Sequence, residues 1–248
     1  MVIQRLEDPV RLLITAVTSN THKPLSHRLT LNIKGLPYTN EWVEFPDIEA
    51  LCKKLGLPPD RVLPNGTPVY TVPVIYDPNT DSHHVESKAI AKYLDGAYPD
   101  TPQLFPPGTQ ALQTAFIELG WNLAANNALI NSLGPATEKW LNPSSAVFWR
   151  KTREERTGKT MEAVATEAEW RALERGMHAL KEIIEGGGNS DGFFTGDKPV
   201  MADIVIAGAL LWMKVVDGSG WAKIAALDGG WWDRYMDRFA PYSVMPTL

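Results

Sequence analysis

Cysteine occurs once in the 248 residues, as Cys52. The chain therefore has no internal disulfide framework and no multi-cysteine zinc site, and a reducing compartment, by default the cytoplasm, is expected. Positive charge is also short, with 24 Lys and Arg against 29 Asp and Glu, a net charge of −5. Nucleic-acid binding driven by phosphate neutralisation needs a clustered basic face, so it is not expected. Long apolar runs are missing too. The nearest, IVIAGALLWMKVV (204–216), is shorter than the ~18 residues of a membrane span and contains Lys214, so it reads as a buried helix and no membrane partner is expected. The opening stretch MVIQRLEDPVRLLITAV mixes charges into its apolar residues, which is not the pattern of a secretory signal. What is present is ordinary globular composition, 44% hydrophobic and 21% charged, enough for one large domain or two modest ones. Small molecules of little charge are the expected partners.

Periodicity divides the chain. RLLITAV (11–17) has the composition of a strand, and Leu25, Leu29 and Ile33 recur at helical spacing after it. Lys34-Gly35-Leu36-Pro37 ends that helix, and EWVEF (41–45) predicts a second strand, giving a βαβ unit with parallel strands. A short helix is expected over 48–55, a Pro/Gly/Asn-rich loop over 57–68, and a strand interrupted by proline in VYTVPVIYD (69–77). A hairpin at Pro78-Asn79-Thr80-Asp81 leads into a helix from Glu86. The proline-rich segment 98–108 is placed as a linker between domains at 1–97 and 109–248. Beyond it helices dominate: Leu112, Phe116, Leu119 and Leu123 share one predicted face, as do Leu173, Met177, Leu180 and Ile184, and Ile204, Ala207, Leu210 and Leu211. Residues 186–190 read as a flexible break. The expected fold is a small α/β domain, βαβ-α-ββα, followed by an all-α domain.

Three signatures lie in this order: Val72-Pro73-Val74, then ESKAIAKYL (86–94), then GDKPVMAD (196–203). Together they resemble the cytosolic glutathione transferases, a thioredoxin-like domain followed by a helical one. KGLPYTNEWVEFPDIEALCKKLG (34–56) and FWRKTREERTGKTMEAV (148–164) look, more narrowly, like the fungal FuA class, which is related to bacterial β-etherases. The likeness spans nearly the whole chain. It implies glutathione as co-substrate, no metal, a homodimer, and a cis bond before Pro73 that presents the Val72 backbone to the cysteinyl part of glutathione. A helix start offers free N–H groups and partial positive charge to an anion. By the resemblance, Ser87 donates to the γ-glutamyl carboxylate and Glu86 accepts from the γ-glutamyl ammonium, although the same pair also suits plain helix capping. Val200 stands where the family usually places a hydroxyl or amide cap, and Asp203 is left to satisfy that helix from inside.

Such enzymes hold the glutathione sulfur as thiolate, the nucleophilic form. Lowering a thiol pKa from ~8.5 by ~2 units takes about 2.7 kcal/mol, within reach of a hydroxyl hydrogen bond and a helix dipole. In the loop TSNTHKPLS (18–26) the family's catalytic position falls on Thr21, followed by His22 in place of the usual proline. Threonine donates an O–H, but its methyl stiffens χ1 and crowds the sulfur. Ser19 competes for the role, with Asn20 or a water as further options. Ser26 is read as structural, His22 as a loop histidine, Cys52 as packing, and His83 and His84 as a polar turn without the third ligand a metal needs. The resemblance places the second substrate against Trp121, Asn122, Phe148, Trp149 and Arg153, although aromatics at helical spacing are also ordinary core. The charged run from Arg150 to Arg156 reads as a solvated face. The expected activity is conjugation of glutathione to aromatic electrophiles, or cleavage of aryl ethers. A low-turnover ligandin that stores aromatic compounds and a non-catalytic scaffold are the alternatives.

Overall fold

A computed structural model describes residues 9–14, 26–186 and 192–243. Strand β1 (Val10–Ile14) is followed by α1 (Ser26–Lys34), which ends at Gly35, φ +66°, two residues before Pro37. The helix is enclosed on both sides, because Leu29 and Ile33 join the core of the helical half while Leu31 packs with Val10, Tyr38 and Ile75 of the sheet. Strand β2 (Tyr38–Trp42) begins earlier and ends earlier than expected. Tyr38 pairs with Val10 in parallel register and is buried, whereas Pro46 opens a 3-10 turn at Phe45–Asp47 that stops the strand.

Helix α2 (Ile48–Lys54) follows. The expected loop holds an unforeseen hairpin of β3 (Arg61–Val62) and β4 (Pro68–Val69). Its turn is Asn65-Gly66, with Gly66 at φ +83° and the Asn65 amide oxygen accepting from Thr67 N–H, a combination glycine and asparagine favour. The cis Val72–Pro73 bond then separates β4 from β5 (Val74–Asp77), which turns into β6 (Ser82–Val85) and α3 (Ser87–Ala97). The sheet order is β2-β1-β5-β6, with β1 parallel to β2 and antiparallel to β5. At the hairpin, buried Asp77 accepts from the hydroxyls of Tyr93 and Tyr98 and from Asn79. Burial alone would raise its carboxyl pKa, but these donors hold it below the ordinary value.

Segment 98–108 is packed down. Lys34 Nζ, at the buried end of α1, meets Asp95 of α3 at 2.8 Å and the carbonyl of Pro102 at 3.1 Å. Asp95 in turn accepts from the N–H groups of Leu104 and Phe105, two residues of the helical core. Beyond come α4 (Gln110–Ala115), a π-helical stretch (Phe116–Asn126), α5 (Asn127–Glu138), α6 (Pro143–Thr157), α7 (Met161–Val164), α8 (Glu167–Gly186), α9 (Met201–Val216) and α10 (Gly218–Asp237), which is broken into two helical pieces by a non-helical kink at Leu227, Asp228, Gly229 and Gly230. The predicted inward faces of α8 and α9 are buried except for the half-buried Leu211, but the predicted Leu112/Phe116/Leu119 face is not one face. Leu112 and Leu119 are 60% and 67% exposed while Phe116 is buried. The wider i→i+5 turns shift the phase, so that Ile117, Trp121 and Ala125 face inward instead.

Val200 supplies no oxygen to the helix it precedes, and Asp203 compensates. One carboxylate oxygen accepts from Val200 N–H at 3.0 Å; the other accepts from Phe194 N–H and the Tyr235 hydroxyl, each at 2.8 Å. Burial outweighs these donors and lifts the carboxyl to about 6, against an ordinary 3.8. The folded state therefore holds a proton that the unfolded state releases between those values, so this contribution to stability is full below 3.8 and is lost as pH rises through about 6. In urea unfolding, the wild-type margin over Asp203→Asn is expected to be about 1–3 kcal/mol. That margin should shrink as pH rises from 3.8 to about 6, and a margin growing over that window contradicts this account.

Candidate functional site

The register of β5 gathers the first set of candidate residues. Val74 pairs with Leu13 on one side and with Val85 on the other. Continuing both ladders past Val74 brings Val72-Pro73 beside the end of β1 and beside Glu86-Ser87. Val72, Pro73, Glu86 and Ser87, which lie fourteen residues apart in two pairs, thus meet at one end of the sheet. The cis geometry expected before Pro73 is present. Strand β1 runs out at this same end; Ser19, Asn20, Thr21 and His22, in the segment after it, lie outside the described residues.

Glu86 has φ +69°, a conformation a non-glycine residue adopts at a cost of roughly 1–3 kcal/mol and keeps mostly at functional sites. The turn aims its carboxylate back at its own helix, where the two oxygens accept from Lys88 N–H at 3.3 Å and Ala89 N–H at 3.0 Å. Glu86 is thus the N-cap of α3, the plainer of the two readings of this pair, and its negative charge sits among the donors that an anionic ligand would meet. Each oxygen keeps a lone pair for a cation.

A polar chain extends from this point into the helical half. Lys88 is ion-paired with Glu118, which raises the lysine pKa and lowers that of the acid. Glu118 accepts from the Asn122 amide at 3.1 Å, and Asn122 accepts from Asn126 at 3.2 Å. Asn122, a predicted second-substrate residue, is therefore tied to the start of α3. Trp121 beside it is 2% exposed within the helical core and has almost no surface to give a ligand.

Phe148, Trp149 and Arg153 form a separate group with a partner the sequence did not reveal. The Phe45 ring lies 6.5 Å from Phe148, nearly parallel, and 5.4 Å from Trp149. Glu44 accepts from the Asn142 amide and the Ser145 hydroxyl, and the Ser145 oxygen accepts from Phe45 N–H at 3.0 Å. Glu44 and Phe45 are thus clasped to α6 across about a hundred residues of chain. The only sequence signal was a pair of adjacent aromatics on a mainly charged helix.

The Arg153 guanidinium lies over Trp149, 3.2 Å from the ring centroid, with the Phe45 ring 5.9 Å away. Burial and the neighbouring Arg156 push it down to about 9. Its Nε is buried without a partner. It lines a cleft of about 240 Å³, counting space continuous with solvent, whose apolar wall is Ile130, Met161 and Val164. Arg156, Asn131 and Thr157 supply the polar edge.

The remaining candidates have structural partners. Cys52 is buried beside Val43, Ile48 and Val74, and burial raises its thiol pKa. His83 packs on Tyr76, and His84 stacks on Tyr93 and bonds to Ser82. Among the described residues no group of His, Cys, Asp and Glu is placed to hold a metal, and no helix is long and apolar enough to cross a membrane. Arg150 departs from the expected solvated face, because it joins Glu138, Glu154 and Glu162 and ties α5, α6 and α7 together.

Comparison with known proteins gives the same assignment for both halves. A family model described as glutathione S-transferase, N-terminal domain, matches residues 24–97, and one described as glutathione S-transferase, C-terminal domain, matches 111–242. The glutathione S-transferase-like protein ustS of Aspergillus flavus is 31% identical over 220 residues, which is 83% of this chain and 78% of that protein. The crystal structure of the glutathione transferase GSTFuA2 from Phanerochaete chrysosporium superposes with a TM-score of 0.90 at 37% identity, covering 96% of this chain and 100% of its own. A glutathione S-transferase of Ceriporiopsis subvermispora, solved in complex with glutathione, gives 0.90 at 36% identity, covering 97% of this chain and 100% of its own.

The clasp makes a quantitative expectation. Ser145→Ala leaves the Glu44 carboxylate and Phe45 N–H without their shared partner, and is expected to cost about 1–3 kcal/mol in urea unfolding. Unchanged stability would show that the clasp holds nothing.

Proposed function

The chain belongs to the glutathione S-transferase family, and on that premise we propose that it binds glutathione at the sheet end formed by Val72, Pro73, Glu86 and Ser87. In this reading the segment after β1 activates the thiol, and the thiolate joins glutathione through its sulfur to an aromatic electrophile, or forms a C–S bond at an ether carbon as the aryloxide leaves. The observation that carries it is the register of β5, which sets the cis Val72–Pro73 bond beside the start of α3. An extended peptide can pair there with the Val72 backbone as one added strand residue. The two ends of the γ-glutamyl group suit the two charges at α3. Its carboxylate meets Ser87 and the helix N-terminus, and its ammonium meets the free lone pairs of Glu86. That the Ceriporiopsis relative was solved with glutathione supports the same ligand here.

Thr21 is the proposed activating hydroxyl, with Ser19 the competitor, because either can donate to the sulfur from the segment after β1. The second substrate is proposed to lie along α6, against Phe148 and Arg153, with the buried Trp149 backing the Arg153 guanidinium and Asn122 at the glutathione side. Trp121 contributes by packing the wall behind them. Leu112 and Leu119 give a homodimer an apolar surface on the outer face of α4 and the π-helical stretch, and the single cysteine suits a cytoplasmic protein. Threonine in place of serine is the feature that favours the ligandin alternative, since its methyl crowds the sulfur.

Thiolate absorbance of bound glutathione, followed against pH, separates these readings. In the enzyme the bound thiol ionises about 2 units below the free value of ~8.5, and Thr21→Ala abolishes that shift while Ser19→Ala does not. Bound glutathione with an unshifted thiol would mean storage. A shift lost in Ser19→Ala alone would move the role to Ser19, and a protein that does not bind glutathione would overturn the proposal.

A further inference from the structure

A guanidinium enclosed without an acid is costly, since desolvating a cation takes several kcal/mol unless an opposite charge repays it. Helix α6 has such a cation within one turn of the opposite arrangement. Arg150 meets three carboxylates, among them Glu154, the residue next to Arg153 in the chain. Arg153, three residues on, has no ion pair among the described residues. Its Nε is buried and unpartnered, and Nη1 donates only to the neutral hydroxyl of Thr152 at 3.0 Å. The charge beside it is a second cation, Arg156, on the rim of the same cleft. The fold thus sends its acids to one arginine and leaves the next for something else.

The cleft shows what that is. Its lining combines apolar Ile130, Met161 and Val164 with the cations Arg153 and Arg156. Its space of about 240 Å³ is continuous with solvent rather than enclosed, and its apolar lining is only three side chains wide, which a single ring covers. We propose that this cleft binds a compact aryl carboxylate, with the acid on Arg153 and the ring against Ile130, Met161 and Val164. The planar guanidinium presents parallel N–H donors to two carboxylate oxygens, and Trp149 beneath it fixes the plane of that fork. A neutral ring leaves Arg153 unpaired, and an inorganic anion leaves the apolar wall unused. This inference rests on the reading of α6 as a wall of the second-substrate site, and it narrows that substrate to an acid.

Calorimetric titration of the full chain with benzoate, without glutathione, tests the inference apart from any transfer reaction. Benzoate is expected to bind the wild-type protein, about 10- to 100-fold more weakly in Arg153→Gln, with part of the loss restored in Arg153→Lys. Benzamide, its neutral counterpart, is expected to bind the wild type and Arg153→Gln alike. A parallel titration with glutathione reports whether each variant keeps its fold and the other site. Benzoate affinity unchanged in Arg153→Gln, or no benzoate binding to wild type, overturns the proposal. So does selective loss of glutathione affinity in Arg153→Gln, which would assign the arginine to the co-substrate. Failure of glutathione to bind the wild type would count against the transferase reading and not against this cleft.

Discussion

The position of β5 in the sheet is the constraint on which the proposed glutathione site depends. It is the strand that touches both β1 and β6, and its first residue, Val74, is paired on both sides. Two ladders meeting at one residue leave no freedom of register, because a slip of one position would turn the buried Val74 and Ile75 to opposite faces. That fixed register aligns the Val72–Pro73 bond with the turn at Glu86, and it brings β1 to its end at the same edge. Chemistry at this edge is thus assembled from segments that contribute little individually.

Beside the packing of Leu29 and Ile33 into its core, the helical half is tied to the first half by polar and aromatic links of different character. Lys34 and Asp95 form a buried pair whose acid also holds Leu104 and Phe105, so the chain leaves the first half already anchored in the second core. Lys88 and Glu118 form a more exposed link directly at the start of α3, of the kind that contributes little to stability but positions neighbours. Glu44 and Phe45 reach α6 from beyond β2. The first fixes how the halves pack. The other two lie as polar and aromatic borders between the proposed co-substrate site and the helices proposed to hold its partner.

Much of the fold was legible because it depends on local pattern. The faces of α8 and α9 follow 3.6-residue spacing, the hairpin after Asp77 follows its turn residues, and the cis proline follows from the family likeness of Val72-Pro73-Val74. What was misread depends on contacts distant in sequence or on a change of period. Leu119 looked inward because the π-helical turns were not visible in an apolar pattern that fits an α-helix. Strand β2 looked like 41–45 because alternation in EWVEF is real, but its register is set by Tyr38 against Val10 and its end by Pro46. The Phe45 clasp left only the adjacent aromatics Phe148 and Trp149 as a local trace, and nothing near Glu44 or Phe45 pointed to α6. Glu86 was legible as a residue at a helix start, though its left-handed turn and its role as cap needed coordinates.

The central claim is that glutathione pairs with the Val72 backbone beside Ser87 while α6 faces the other substrate. Amide hydrogen exchange with and without saturating glutathione tests it most directly. The account predicts slowed exchange at Val72 and at the first turn of α3, with residues 148–156 unchanged. Slowed exchange in α6 with Val72 and Ser87 unaffected would contradict it.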